Sequence, residues 1–220
     1  MPDFSLERNL GQQEGRLVIG IDEAGRGPWA GPVVAAAVWL DPAACPPAFL
    51  DRLDDSKKLT ARRRGELFEM LQTPHCGFAV LGLGEATVTE IDGLNILQAS
   101  LLAMRRAAEA LSMSLRSCRP GLSIAAALID GNKLPGLACE ETAVVKGDGR
   151  SLSIAAASVA AKVTRDCAMA GYAREFPGYG WERNQGYGTA EHRAGIARLG
   201  VTPLHRRSFR PVREVLESKS

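Results

Sequence analysis

The chain reads as an α/β protein: a mixed sheet of about five strands flanked by helices, with a C-terminal helical extension. Three observations predict it. Apolar runs at 17–21, 33–40, 78–83, 124–129 and 142–145 are bounded by Gly, Pro or polar residues, as buried strands are. Leu94, Leu97, Leu101, Met104, Ala108 and Leu111 recur at steps of three and four, which places them on one face of a helix. An Ala-rich stretch at 153–172 carries its charges late, the mark of a helix that packs closely against a neighbour.

Taken in order, residues 1–16 are polar and Gly/Gln-rich and read as a flexible leader. The first three runs are joined by short links, which predicts an antiparallel meander, with a basic helix at about 60–71 before the third. Pro42, Pro46 and Pro47 mark a loop. Thr89 and Asp92 fit an S/T-x-x-D/E helix start, so one helix is expected from there to Pro120-Gly121. The later strands, separated by helices, predict parallel addition to the meander. A Gly/aromatic loop at 177–188 and small helices at 191–199 and 212–217 finish the chain. The expected organisation is a leader at 1–16, a core domain at 17–190 and a helical tail at 191–220 packed on it.

Composition excludes several classes. With 220 residues, a net charge of +2 and 45% hydrophobic residues, the chain is neither wholly disordered nor in need of staples. No window holds about 18 consecutive apolar residues, and 1–16 lacks the apolar region of a secretory signal. A cytoplasmic, monomeric protein without a membrane role is expected. The five cysteines are odd in number and widely spaced, with no C-x-x-C pair, which argues for reduced thiols and against a zinc site. Lys57, Lys58, Arg62, Arg63 and Arg64 form one basic block, and His205, Arg206, Arg207, Arg210 and Arg213 another. Such blocks are solvated faces or the footprint of nucleic acid.

The chemistry gathers at strand ends. Asp22 and Glu23 close the first run, Asp130 the fourth, and Asp148 follows the fifth. Burying charge is costly unless it is paired or metal-bound. Four carboxylates without a neighbouring His or Cys suit two hard cations, Mg2+ or Mn2+, which activate water and stabilise the leaving oxygen of a phosphodiester. Adjacent strand residues face opposite ways, so Asp22 and Glu23 share a site only if the strand ends or bulges there. Gly25, Gly27 and Pro28 supply such a break. The glycine spacing is not the dinucleotide fingerprint, and a strand rather than a helix follows it. Arg26 is either a partner of the acids or a phosphate contact.

Gly20-Ile21-Asp22-Glu23-Ala24-Gly25-Arg26-Gly27-Pro28 resembles the first motif of the ribonuclease HII family. The resemblance extends through Asp55-Ser56-Lys57-Lys58-Leu59, Leu94-Asn95-Ile96-Leu97, Ile129-Asp130-Gly131-Asn132 and Val145-Lys146-Gly147-Asp148. It continues through Ser153-Ile154-Ala155-Ala156-Ala157-Ser158, Ala161-Lys162-Val163-Thr164-Arg165-Asp166, Gly186-Tyr187-Gly188-Thr189 and His205-Arg206-Arg207-Ser208-Phe209, covering nearly the whole chain. It implies an RNase H-like fold and a two-metal endonuclease. Such an enzyme cuts the RNA strand of RNA–DNA hybrids and nicks 5′ of single ribonucleotides in duplex DNA, leaving 5′-phosphate and 3′-hydroxyl ends, the chemistry of ribonucleotide excision repair. The resemblance assigns Asp22, Glu23, Asp130 and Asp148 to the metals. It assigns Gly25, Arg26 and Gly27 to the ribose 2′-hydroxyl, largely through backbone groups. Tyr187 would stack on the sugar 3′ of the ribonucleotide, and Ser56, Lys57, Lys58 and Lys146 would contact phosphates. Asp166 lies inside the predicted helix and is expected to pair with Arg165 or another basic neighbour. Trp29 stands where the family usually has an aliphatic residue. The C-terminal residues lack the paired aromatics that dock on a sliding clamp.

Overall fold

The computed structural model describes residues 1–53, 59–72 and 77–218. Five strands, β1 (Leu17–Ala24), β2 (Val33–Leu40), β3 (Ala79–Ala86), β4 (Ile124–Asp130) and β5 (Glu140–Val144), form one sheet in the order β3-β2-β1-β4-β5. The first three pair as an antiparallel meander; β4 joins β1, and β5 joins β4, in parallel. The mixed sheet predicted from the apolar runs is therefore the one found.

Helices cover both faces. The short α1 (Ser5–Asn9) precedes the sheet, α2 (Pro47–Leu50) and α3 (Ala61–Leu71) lie between β2 and β3, and α4 (Val88–Leu94) and α5 (Ile96–Cys118) follow β3. After β5 come α6 (Leu152–Glu175), α7 (Trp181–Asn184), α8 (Ala190–Leu199) and α9 (Arg210–Glu217). Ala99, Ala103, Ala107 and Leu111 of α5 pack with Ile19, Ile21, Ala35 and Ala37 on one face. Ala155, Ala156, Val159 and Ala160 of α6 pack with Ala36, Val38 and Leu40 on the other, beside Leu67 and Leu71 of α3. Small side chains on both partners let α6 approach the strands closely. At Gly20 the approach is limiting, because a Cβ there would collide with the backbone of Ser153 and Ile154.

Three expectations are corrected. The segment 1–16 is docked rather than loose. Leu6 and Leu10 pack against Val18, Ala126 and Leu128. The buried Glu7 accepts from Ser151 Oγ at 2.6 Å, Ser153 N at 3.0 Å and Ser153 Oγ at 2.7 Å. A carboxylate there satisfies the Ser153 N–H in the first turn of α6 and complements the helix dipole. Second, the single helix expected from Thr89 is two. The capping box is Thr87 and Glu90, and Asn95, with φ of 72°, interrupts the chain and caps α5 through Oδ1. Two overlapping S/T-x-x-D/E matches made the register ambiguous. Asp92 instead accepts from the backbone N–H groups of Arg207 and Ser208. Third, Cys118 is disulfide-bonded, whereas Cys45, Cys139 and Cys167 are free thiols. Among the described residues, no helix is long and apolar enough to cross a membrane.

A further apolar cluster joins Ala30 and Met169 to Tyr179, Trp181 and Ile196, with Trp29, Phe176 and Leu204 at its margin. It packs the C-terminal helices onto the end of α6 and the loop after β1. Gly20→Ala is expected to destabilise the fold by about 2 kcal/mol or more, since rigid backbone on both sides cannot give way. Urea unfolding measures this; a change under about 0.5 kcal/mol would contradict the packing described.

Candidate active site

The ladder between β1 and β2 runs on to Ala24–Val34, but the ladder between β1 and β4 stops at Ile21–Ile129. Past that point β1 overhangs, and a cleft of about 310 Å³ opens there, lined by Asp22, Glu23, Gly25, Arg26, Gly27, Asp130, Ser158, Lys162, Arg165 and Tyr187, with Ala24 between them. Asp22 and Glu23 thus stand in a regular strand with no bulge between them. They share the cleft because the edge of β1 is open beyond Ile21 and the strand ends at Ala24, directly after them, where Gly25 turns the chain.

Asp22 is only 5% exposed. Its Oδ1 accepts from the N–H of Glu23 at 2.7 Å, and Ser158 also hydrogen-bonds its carboxyl. Burial, then the charges of Glu23 and Asp130, push its pKa well above the ordinary carboxylate range. Glu23 is raised as well, chiefly by burial, against the opposing pull of Arg26. Arg26 bonds Glu23 Oε1 at 3.0 Å, which makes it the partner of an acid. Glu23 Oε2 is buried and has no hydrogen-bond partner. Asp130 Oδ1 accepts from the N–H of Gly147 at 2.7 Å, tying the end of β4 to the turn that carries Asp148.

Asp148 is buried in that turn and does not line the cleft. Lys146, exposed and with φ of 55°, does not line it either. Ser56, Lys57 and Lys58 lie outside the described residues. Among the described residues, no three His, Cys, Asp or Glu side chains gather around one point closely enough to ligate an ion. The expected four-acid cage is therefore not closed in this conformation: protein donors hold at least one oxygen each of Asp22, Glu23 and Asp130. The donor set still fits hard cations. It is all oxygen, its charges repel one another, and Glu23 Oε2 is left over.

Sequence reasoning passed over Ser158, Lys162 and Arg165 as members of the site. Their spacing of four and three puts them on one stripe of α6 facing the cleft, and that polar stripe in an alanine helix was the available signal. Lys162 bonds Asp166 at 2.6 Å, so Asp166 is paired with a basic neighbour.

Arg165 and Arg206 are buried and shape the loop that follows β1. Arg165 donates to the carbonyls of Pro32, Ala30 and Gln185; Arg206 donates to those of Gly31, Arg26, Gly25 and Pro32. Burial lowers both guanidinium pKa values, to about 10 and about 9, and Arg165 lowers Arg206 further. A trans peptide points its N–H opposite to its C=O. Turning the Gly25 and Arg26 carbonyls toward Arg206 therefore aims the Arg26 and Gly27 N–H groups away from it. Gly25, with φ of 99°, has no room for a Cβ, which would strike the Arg165 side chain.

The family model for ribonuclease HII matches residues 19–212. The chain belongs to the ribonuclease HII family. The ribonuclease HII of Paramagnetospirillum magneticum is 58% identical over 216 residues, spanning 98% of this chain and 99% of that one. As a member of this family the chain is a ribonuclease H, hydrolysing the RNA strand of RNA–DNA hybrids. The crystal structure of the ribonuclease H2 from Pyrococcus horikoshii superposes with a TM-score of 0.68 at 25% identity, covering 91% of this chain and 97% of that one. The ribonuclease HII in the PCNA complex from Archaeoglobus fulgidus shares the fold, with a TM-score of 0.61 at 23% identity over 88% of this chain and 95% of that one.

Behind Tyr187, His192 and His205 are completely buried. Burial holds both below the ordinary imidazole range, His205 at about 4. An unfolded chain takes up a proton near pH 6.5 that native His205 refuses until about pH 4. His205 therefore subtracts stability as the pH falls through that window, while the raised carboxyls of Asp22 and Glu23 act in the opposite sense. Comparing the parent with His205→Gln isolates the histidine. Between pH 7 and 4 the parent is expected to lose about 3 kcal/mol relative to the variant; a difference independent of pH would contradict the assignment.

Proposed function

We propose that this ribonuclease H also nicks duplex DNA on the 5′ side of single embedded ribonucleotides, leaving 3′-hydroxyl and 5′-phosphate ends. The observation that carries the reading is the gathering of Asp22, Glu23 and Asp130 at the open edge of β1, beside a turn whose backbone is held by buried arginines. Asp22, Glu23, Asp130 and Asp148 would hold two divalent cations, Mg2+ or Mn2+, with Asp148 brought to them by the turn bound to Asp130. Such ions supply Lewis-acid stabilisation of the phosphorane and lower the pKa of the attacking water.

The protein's own groups bind and orient. The Arg26 and Gly27 amides, aimed away from Arg206, suit a hydroxyl oxygen, and the 2′-hydroxyl is what separates RNA from DNA. The Tyr187 ring stands over Gly27, where a Cβ would lie 3.3 Å from Cε1. A sugar resting on that ring is favoured without a 2′-hydroxyl, so a deoxyribose on the 3′ side fits. Lys162 on the cleft wall would meet phosphates, and so would Lys146 and the Ser56, Lys57 and Lys58 of the sequence motif.

The test is cleavage of a DNA duplex bearing one ribonucleotide. A single nick 5′ of the ribonucleotide is expected, abolished by a chelator. Asp22→Asn and Asp130→Asn should lower turnover by about a thousandfold with unfolding midpoints retained. Near-parental turnover in either variant, or equal cutting of an all-DNA duplex, would contradict the reading.

A further inference from the structure

The buried histidines behind Tyr187 have defined tautomers. The backbone N–H of Thr202 donates to His205 Nδ1 at 2.9 Å. A ring nitrogen that accepts carries no proton, so neutral His205 holds its proton on Nε2. That nitrogen lies 3.1 Å from His192 Nε2. The indole N–H of Trp181, a donor only, also points at His192 Nε2, at 3.0 Å. His192 Nε2 thus accepts twice, and the His192 proton sits on Nδ1. His192 Nδ1 is 2.9 Å from the carbonyl oxygen of Tyr187. The donations run one way, from Thr202 through His205 and His192 to Tyr187. A second proton on His192 would set its Nε2–H against the donors of both Trp181 and His205. Burial, which lowers the pKa of each ring, keeps the pair neutral.

Tyr187 needs such a hold. Its side chain is half exposed, so no wall fixes the ring from outside. The two preceding residues, Gln185 and Gly186, are both left-handed, with φ of 51° and 82°. Asn184 supports this turn, accepting from the Tyr187 N–H at its carbonyl and from the Gly186 N–H at its side chain. The ring already stands close to Gly27, so a displacement of a few tenths of an ångström changes the platform offered to a sugar.

We infer that His192, held in its Nδ1-protonated form by Trp181 and His205, is a positioning residue that sets Tyr187 for recognition of the RNA-to-DNA junction. The inference rests on the role proposed above for Tyr187. It is tested by a double-mutant cycle read as a ratio: kcat/KM on the single-ribonucleotide duplex over kcat/KM on a uniform RNA–DNA hybrid, in the same divalent ion. His192→Gln carries its amide toward the Nε2 position and loses the bond to Tyr187, whereas His192→Asn keeps an N–H near Nδ1. The expected result is a five- to tenfold fall in the ratio, about one hydrogen bond, for His192→Gln, near-parental behaviour for His192→Asn, and no added effect of His192→Gln in a Tyr187→Ala background. A loss shared equally by both substrates, or full additivity with Tyr187→Ala, would overturn it. A parental ratio in Tyr187→Ala alone would instead overturn the reading of Tyr187. Nitrogen-15 NMR of the unmutated enzyme at pH 7 tests the relay without relying on a variant that folds: Nδ1–H at His192 and Nε2–H at His205 are expected, and Nε2–H at His192 overturns it.

Discussion

The close approach of α6 to β1 is the constraint on which the rest of the molecule depends. It is possible because Gly20 has no side chain and α6 presents alanines to the strands. Once the helix lies there, its polar stripe falls on the cleft: Ser158 meets Asp22, Lys162 enters the wall, and Arg165 reaches the loops on either side. The helix start is secured by Glu7 and Ser151, next to the turn that carries Asp148 and binds Asp130. One helix thereby connects the acid cluster, the turn after β1 and the loop of Tyr187.

Charge is handled differently by the arginines and by the acids. Arg165 and Arg206 are buried cations whose hydrogen bonds go to carbonyls, seven in all, so their positive charge is spread over backbone dipoles. Asp22 is buried, with Glu23 and Asp130 half-buried beside it, and the three receive only partial compensation from Arg26, Ser158 and two backbone N–H groups. Crowded carboxylates of this kind are stable at neutral pH only through protonation or an added cation. Divalent cations are the relief proposed above for that arrangement.

Much of this was legible in the sequence. Runs of apolar residues between turn formers located all five strands, and the acids at the ends of the first and fourth runs do meet in one cleft. What escaped depends on relations that a linear pattern does not encode. The convergence of Asp22 and Glu23 comes from the unequal lengths of two ladders, a property of pairing rather than of either residue. Glu7 sits in a polar stretch that composition marks as loose, yet its partners Ser151 and Ser153 lie more than 140 positions away. The break at Asn95 was hidden by two capping matches two residues apart. Arg206 read as part of a basic block, a solvated face or the footprint of nucleic acid, and Arg165 as a partner for Asp166, because nothing local tells that their partners are carbonyls.

Relief of the carboxylates at the β1 overhang by divalent cations is directly measurable. Thermal unfolding across a Mn2+ titration measures this without reference to catalysis. A ligand that binds only the native state raises its stability by RT ln(1 + [L]/Kd), so at a hundredfold excess over Kd the parent protein gains about 2.7 kcal/mol. Saturable stabilisation of the parent that is largely absent from Asp130→Asn is the predicted result. Equal shifts in both proteins, or none in the parent, would contradict it.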